Sequence, residues 1–218
     1  MELTGIEGAN RPPEGAAPYP RPRRGPREKL SKSAFLMEDM HMNSEQIAYF
    51  ATGCFWGAER RFWQMTGVMQ TRVGYMGGTT SNPTYKEVCS GRTNHAEVVK
   101  VVFNPAQVTY EELLSAFWQM HDPTTLNRQG NDIGTQYRSS IFYTSEEQMR
   151  IASRSRDIYQ SELNKLGFGA ITTEIVSAPD YWDAEEYHQR YLEKNPNGYD
   201  CHATTGVEFP VALLANQN

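Results

Sequence analysis

The chain of 218 residues contains only three cysteines, Cys54, Cys89 and Cys201. No two of them have the Cys-x-x-Cys spacing of a dithiol redox motif, and neither they nor the scattered histidines have the spacing of a structural zinc site. We therefore expect no bound metal, and any cysteine chemistry must begin from a single thiol.

Long apolar segments are also missing. No apolar run before Glu45 has the length of a secretory signal, and nothing approaches the roughly 20 residues that span a membrane. The formal net charge of −5 makes the chain a poor nucleic-acid binder. We expect a cytoplasmic monomer that contacts neither membrane nor nucleic acid.

Large aliphatic residues are scarce in residues 11–30, which are instead rich in proline and arginine. Such a segment cannot bury enough apolar surface to offset the entropy lost on ordering. The break in composition predicts a flexible arm over residues 1–43 and one folded domain over residues 44–218. The arm either contacts an acidic partner or surface or is a solvated tail, and the prolines that interrupt its basic cluster favour the tail.

The pattern of the folded part predicts α/β structure of the α+β kind. Strands are expected near 46–52, 69–76, 96–103 and 138–144, with helices near 56–66 and 109–120. The order βαββαβ is that of the split βαβ unit, which predicts a ferredoxin-like sandwich.

Further elements are predicted after this core. Ser145 and Gln148 have capping-box spacing and open a helix that reaches about Leu166. A strand is expected over residues 170–176 and a helix over residues 180–193, which Asn195-Pro196 ends. The remaining C-terminal residues are predicted to be coil.

Cys54 is the candidate nucleophile. It lies between an apolar strand and a predicted helix, where backbone amides and the helix dipole stabilise a thiolate. Free cysteines are more often buried apolar residues, but the adjacent aromatic residues Phe55 and Trp56 suggest a pocket beside the thiol. The sequence therefore favours a reactive cysteine here.

Five separated stretches identify the chain as similar to the A-type peptide methionine sulfoxide reductases. They are Gly53-Cys54-Phe55-Trp56-Gly57, Gly77 to Tyr85, Val88 to Gly91 with His95 to Val98, Gly130 to Ser139, and Asn195 to Tyr199. The resemblance covers roughly residues 45–210. It implies an α/β sandwich and the reduction of free or peptide-bound methionine S-sulfoxide, a role in protein repair and in defence against oxidative stress.

The resemblance also assigns roles to individual residues. Glu97 becomes the proton donor, and strand alternation places it on the apolar face with Val99, where desolvation raises the pKa of a carboxyl. Tyr85 and Tyr137 would donate hydrogen bonds to the sulfoxide oxygen, and Asp132 would organise the polar cluster. Phe55 and Trp56 would form the wall for the methyl group of the substrate.

Oxygen transfer would leave Cys54 as a sulfenic acid, which condenses with a second thiol. We expect Cys201, in a flexible tail, to form this disulfide, and Cys89 to be structural. Thioredoxin would then reduce the disulfide as an external reductant, without any bound cofactor. Two departures from the family pattern are Asn94, where many relatives have glycine, and Glu208, where many have a further cysteine.

Two other functions remain open from the residues alone. A cysteine hydrolase or acyltransferase would use a histidine to deprotonate Cys54. A binding module would use its aromatic pair to recognise methyl or thioether groups without turnover. Reduction of a methionine sulfoxide peptide with dithiothreitol distinguishes these possibilities.

Overall fold

The computed structural model describes residues 45–200 and 203–215, so the predicted arm and its boundary near residue 43 lie outside the described residues. The elements are β1 (Gln46–Thr52), α1 (Phe55–Trp63), β2 (Val68–Met76), α2 (Tyr85–Cys89), β3 (Ala96–Phe103), α3 (Tyr110–Gln119), β4 (Arg128–Gln129), β5 (Asp132–Ile133), a 3₁₀ turn (Thr135–Tyr137), β6 (Ser139–Tyr143), α4 (Glu146–Lys165), β7 (Glu174–Ser177), β8 (Trp182–Asp183), α5 (Tyr191–Lys194) and α6 (Val211–Ala215).

A mixed sheet with the strand order β7-β6-β1-β3-β2-β8 forms the centre of the fold. Its four inner strands, β6, β1, β3 and β2, pair with one another in antiparallel fashion, whereas β7 pairs with β6 in parallel. The inner four follow the order of the split βαβ unit. The predicted α/β sandwich is confirmed, with β7 and β8 added at its edges.

The sheet buries both faces, but unequally. The larger core lies on the face that carries Phe50, Val73, Val99 and Ile141, and helices α1, α3 and α4 pack against it. A smaller cluster on the other face includes Phe142. Because successive strand residues point to opposite faces, the alternation of β3 determines which of its side chains reach the helices.

Local capping signals set the helix starts. Thr109 accepts a hydrogen bond from the Glu112 backbone while the Glu112 carboxylate accepts one from Thr109, so the predicted capping box before α3 is present. Before α4, Ser145 accepts from the Gln148 backbone. The Gln148 side chain accepts instead from Thr144, one residue earlier than expected.

Three predicted elements differ in the structure. The strand expected over 170–176 is confined to Glu174–Ser177, and the predicted loop between β2 and β3 contains the short helix α2. The C-terminal segment, predicted as coil, ends in helix α6. Helix α2 begins at a capping box between Thr84 and Glu87, a local signal that the sequence contained.

The predicted helix over 180–193 is wrong. This segment contains β8, a series of turns and only one helical turn in α5. The Gln189 side chain explains the difference, because its amide accepts from the Val73 N–H at 2.9 Å and donates to the carbonyls of Val73 and Ala184. These bonds continue the antiparallel pairing of β8 with β2, which holds the start of the segment in an extended conformation.

Candidate active site

Cys54 lies at the N-cap position of α1, immediately after strand β1. Gly53 makes this turn possible, because it has a φ of +99° and a Cβ added there would lie 2.6 Å from Cγ of Gln129. The thiol is 6% exposed and faces the positive end of the helix dipole. The structure thus places Cys54 at a strand-to-helix turn, as the sequence predicted.

Glu97 reaches the same helix start from strand β3. Its Oε2 accepts a hydrogen bond of 3.0 Å from the backbone N–H of Phe55, and the side chain is 2% exposed. Burial raises the pKa of Glu97 to about 8, against the opposing effect of the Phe55 hydrogen bond and with a further upward contribution from Asp132. The carboxyl is therefore mostly protonated at neutral pH.

A small cavity brings the predicted residues together. It has a volume of about 70 Å³ and is lined by Cys54, Phe55, Trp56, Tyr85, Glu97, Asp132, Tyr137 and Tyr199. This is enough space for a small chemical group, since a single water needs only about 10–15 Å³ of such volume. Seven of the eight lining residues belong to the set named from sequence, and Tyr199 is the addition.

Two phenols border the carboxyl of Glu97. The pKa of Tyr85 is raised by burial and by a side-chain hydrogen bond that it shares with Cys89. The pKa of Tyr137 is raised by burial and by the neighbouring charge of Glu97. Both hydroxyls therefore stay protonated at neutral pH and are able to donate hydrogen bonds into the cavity.

Asp132 connects the cavity to the C-terminal segment. Its Oδ1 accepts a hydrogen bond of 3.1 Å from the Tyr199 hydroxyl. Its Oδ2 is buried and has no hydrogen-bond partner among the described residues. A buried carboxylate oxygen without a partner is costly, so this atom is poised to accept a hydrogen bond from a bound molecule.

The two aromatic residues after Cys54 have different surroundings. Phe55 is 1% exposed and belongs to the main core, whereas Trp56 is only partly buried. The indole N–H of Trp56 donates to Nδ1 of His188 at 3.1 Å, and its ring stacks on Tyr191 with centroids 3.9 Å apart. The C-terminal half of the chain thus fixes the orientation of the indole.

Sequence analysis missed Tyr199, His188 and Tyr191 as parts of the site. Tyr199 lies in the last of the five family stretches, which was the only available signal. His188 and Tyr191 fall in the segment wrongly predicted as one helix, so their approach to Trp56 could not be foreseen. Their contacts join residues that are more than 130 positions apart.

The other cysteines occupy different positions. Cys89 ends helix α2, is exposed and shares a hydrogen bond with Tyr85. Partial desolvation of its sulfur raises the pKa of the thiol, although the bond to Tyr85 opposes this shift. Cys201 lies outside the described residues, so its pairing with Cys54 and the structural role of Cys89 both stay predictions.

Within residues 45–200 and 203–215, no group of three or more His, Cys, Asp or Glu side chains could hold a metal ion. No helix in these ranges has both the length and the apolar character needed to cross a membrane.

Asn94 has a φ of +56°, so asparagine adopts here the left-handed conformation that glycine would favour. The loop before Glu97 thereby keeps its turn despite the substitution.

Comparison with known proteins gives consistent results. The family model for peptide methionine sulfoxide reductase matches residues 46–211. A peptide methionine sulfoxide reductase of Pseudomonas entomophila is 60% identical over 170 residues, which cover 78% of this chain and 77% of the relative. The human mitochondrial peptide methionine sulfoxide reductase is 57% identical over 168 residues, covering 77% of this chain and 72% of the relative.

Solved structures show the same similarity. Methionine sulfoxide reductase A of Corynebacterium diphtheriae superposes with a TM-score of 0.70 at 45% identity, covering 76% of this chain and 84% of that chain. Mxr1 of Saccharomyces cerevisiae in its reduced form gives a TM-score of 0.67 at 39% identity, covering 74% and 92%. Together, the family model, the similar sequences and the similar structures show that the chain belongs to the peptide methionine sulfoxide reductase family.

Proposed function

We propose that this enzyme reduces the S-sulfoxide of free or peptide-bound methionine in the cytoplasm, with Cys54 as nucleophile and Glu97 as general acid. The observation that carries the proposal is the meeting of these two side chains at the start of α1. Oε2 of Glu97 accepts from the residue directly after Cys54, at 3.0 Å. This function serves the repair of oxidised proteins.

The first step transfers oxygen from substrate to enzyme. The Cys54 thiolate attacks the sulfoxide sulfur while Glu97 supplies a proton to the oxygen. The hydroxyl then moves from the substrate sulfur to the Cys54 sulfur, and the bond between the two sulfur atoms breaks with its electron pair going to the substrate. Methionine leaves, and Cys54 is oxidised to a sulfenic acid. Two electrons pass from the cysteine to the substrate, so the step needs no other reductant.

The neighbouring residues stabilise this step. The hydroxyls of Tyr85 and Tyr137 donate to the oxygen as negative charge develops on it. Trp56 and Phe55 provide the apolar wall for the methyl group. Asp132, which accepts a hydrogen bond from the Tyr199 hydroxyl, organises the polar cluster around them.

The second step restores the thiol. The Cys201 thiol attacks the sulfenic acid, water leaves, and a Cys54–Cys201 disulfide forms. The dithiol of thioredoxin then reduces this disulfide by exchange. Support for Cys201 comes from its position two residues after Tyr199, whose hydroxyl reaches Asp132 in the cavity.

Turnover of a methionine sulfoxide peptide in dithiothreitol tests the proposal, with the two sulfoxide epimers supplied separately. Loss of the S-sulfoxide alone is expected, and Cys54→Ser should abolish it because a hydroxyl is not ionised at neutral pH. Residual reduction in Cys54→Ser, or reduction of the R epimer alone, would contradict the assignment. The hydrolase alternative has less support, because the described residues lining the cavity include a glutamic acid and no histidine.

A further inference from the structure

A second buried carboxyl lies on the helix that carries the nucleophile. Glu59 is one turn after Phe55 on α1, and its side chain is fully buried. Its Oε1 accepts from the Thr71 hydroxyl at 3.1 Å, and its Oε2 accepts from the Arg190 backbone N–H at 2.9 Å. Glu59 does not line the cavity, so the proposed reaction does not use it.

The carboxyl of Glu59 supports an unusual backbone conformation. Arg190 has a φ of +53° and precedes helix α5, in the left-handed region that residues other than glycine seldom adopt. Surrounding contacts must hold such a residue in place. Glu59 satisfies its N–H, and Trp63, one turn further along α1, lies under its guanidinium group at 4.1 Å.

The residues on either side of Arg190 hold the indole of Trp56. His188 accepts the indole N–H at 3.1 Å, and Tyr191 stacks on the ring at 3.9 Å with an interplanar angle of 19°. The left-handed turn at Arg190 sets the direction in which these two rings face. Trp56 itself lines the cavity beside Cys54.

We infer that Glu59 is a positioning residue for the methyl-binding wall, because it holds Arg190 in the turn from which His188 and Tyr191 orient the indole of Trp56. Glu59 touches neither the substrate nor Cys54 in this role. The inference rests on the proposed function, in which Trp56 receives the methyl group of the sulfoxide. It adds a specificity element that lies outside the cavity.

Substitutions at Glu59 separate positioning from general stability. In Glu59→Leu, the N–H of Arg190 loses its acceptor and the indole loses its fixed orientation. The KM for a methionine sulfoxide peptide should then rise about tenfold, while kcat with dithiothreitol changes less than about twofold, as expected when ground-state and transition-state binding weaken equally. Glu59→Gln should keep KM within about twofold of the value for the unsubstituted enzyme, because its carbonyl oxygen can accept from Arg190 and its amide can donate to Thr71.

Ser155→Ala provides the matched control. Ser155 is a fully buried polar residue on α4 that accepts the indole N–H of Trp118 at 2.9 Å, away from the cavity. Its loss should lower stability and leave KM unchanged. If Glu59→Leu fails to fold, Glu59→Asp takes its place, since one fewer methylene prevents the carboxylate from reaching both donors.

A double-mutant cycle with Trp56→Leu distinguishes an effect of Glu59 on KM that acts through the indole from a general structural effect. If Glu59 acts through the indole, its substitution should change KM little once Trp56 is absent, so the two effects will not add. Additive effects on KM, or an unchanged KM in both Glu59→Leu and Glu59→Asp, would overturn the inference. Absence of reduction by the unsubstituted enzyme would instead overturn the proposed function.

Discussion

The Glu97 carboxyl is buried beside the start of α1, and burial raises its pKa to about 8. A general acid works best when its pKa lies near the operating pH, because it then holds a proton and can also release it. The sequence pattern predicted that this carboxyl lies on the apolar face of β3. The structure shows in addition that the Phe55 N–H donates to one of its oxygens and thereby aligns it. Protonation and alignment together make it suitable for donating a proton to a sulfoxide oxygen.

Glu97→Gln should slow the reductive step by roughly a hundredfold or more, because an amide donates a hydrogen bond but cannot transfer its proton. In the unsubstituted enzyme the single-turnover rate should fall as pH rises through about 8, as Glu97 loses its proton. The variant should lack this decrease. Rapid-quench assays over a pH series measure both effects, and an unchanged reductive rate would exclude Glu97 as the acid.

The raised pKa of Glu97 should also be visible in the pH dependence of the free energy of unfolding. The native pKa of Glu97, about 8, lies above the ordinary value of 4.5, so between these values the native state keeps a proton that the unfolded chain has lost. The free energy of unfolding contributed by Glu97 therefore falls as pH rises through this window. Urea unfolding should show the unsubstituted protein losing stability relative to Glu97→Gln between about pH 5 and about pH 9. Parallel pH profiles of the two proteins would contradict the raised pKa.

At the scale of elements, the segment from β8 to α5 joins the sheet edge to the site. Gln189 ties it to β2 through two side-chain hydrogen bonds, both to the backbone of Val73, and His188 and Tyr191 contact Trp56. Side-chain bonds to backbone groups replace the regular helix that the residue pattern favours. The geometry of the methyl-binding wall thus depends on a segment with little regular structure.

Gln189→Leu should destabilise the protein by about 1–3 kcal/mol, because the buried N–H of Val73 loses its side-chain acceptor. Equilibrium urea unfolding measures the loss. Gln119→Leu is the matched control, since among the described residues its exposed amide hydrogen-bonds to Ser115 in the preceding turn and to no other residue. Its loss should change stability by less than about 0.5 kcal/mol. Equal effects of the two substitutions would show that the edge contacts of Gln189 contribute nothing.

The C-terminal segment should act in recycling. Cys201→Ser should still reduce one equivalent of sulfoxide, since this step needs only Cys54, but it should fail to turn over with thioredoxin. Cys89→Ser, on α2, should turn over normally and is the control. Mass mapping of the oxidised enzyme decides the pairing, and a Cys54–Cys89 bridge would show that Cys89 resolves the sulfenic acid.

At the scale of the whole molecule, the proposed nucleophile and the proposed acid come from β1–α1 and β3, whereas the wall and the rim of the cavity depend on residues 185–200. Tyr199 reaches Asp132, and the pairing of β8 with β2 brings the later segment to the sheet. Of the described residues, those of the main core range from Ala48 to Leu214. The fold therefore assembles the site from nearly the full length of the domain.

Removal of residues 1–43 should leave activity with dithiothreitol and the urea midpoint unchanged. The expectation follows from the composition of the arm, which has few large aliphatic residues to contribute to a core. Comparison of the truncated and full chains by urea unfolding and by turnover checks it. A lower midpoint or a slower turnover in the truncated chain would assign the arm a role in the domain.

The sequence by itself determined the elements whose signals are local. The strand patterns of β1 and β3, the capping box at Thr109 and the alternation that turns Glu97 toward the helices each depend on neighbouring residues. The family stretches then named seven of the eight residues that line the cavity. Such features are predictable because backbone geometry fixes where each side chain points.

Only the tertiary structure decided how residues 180–200 contribute to the candidate active site. The apolar pattern there favours a helix, but the bonds from Gln189 to β2 and from Glu59 to Arg190 join positions more than 110 residues apart. No local pattern encodes such bonds, because they form only after the sheet and α1 have come together. The orientation of Trp56, the approach of Tyr199 to Asp132 and the raised pKa of Glu97 all depend on burial that the completed fold creates.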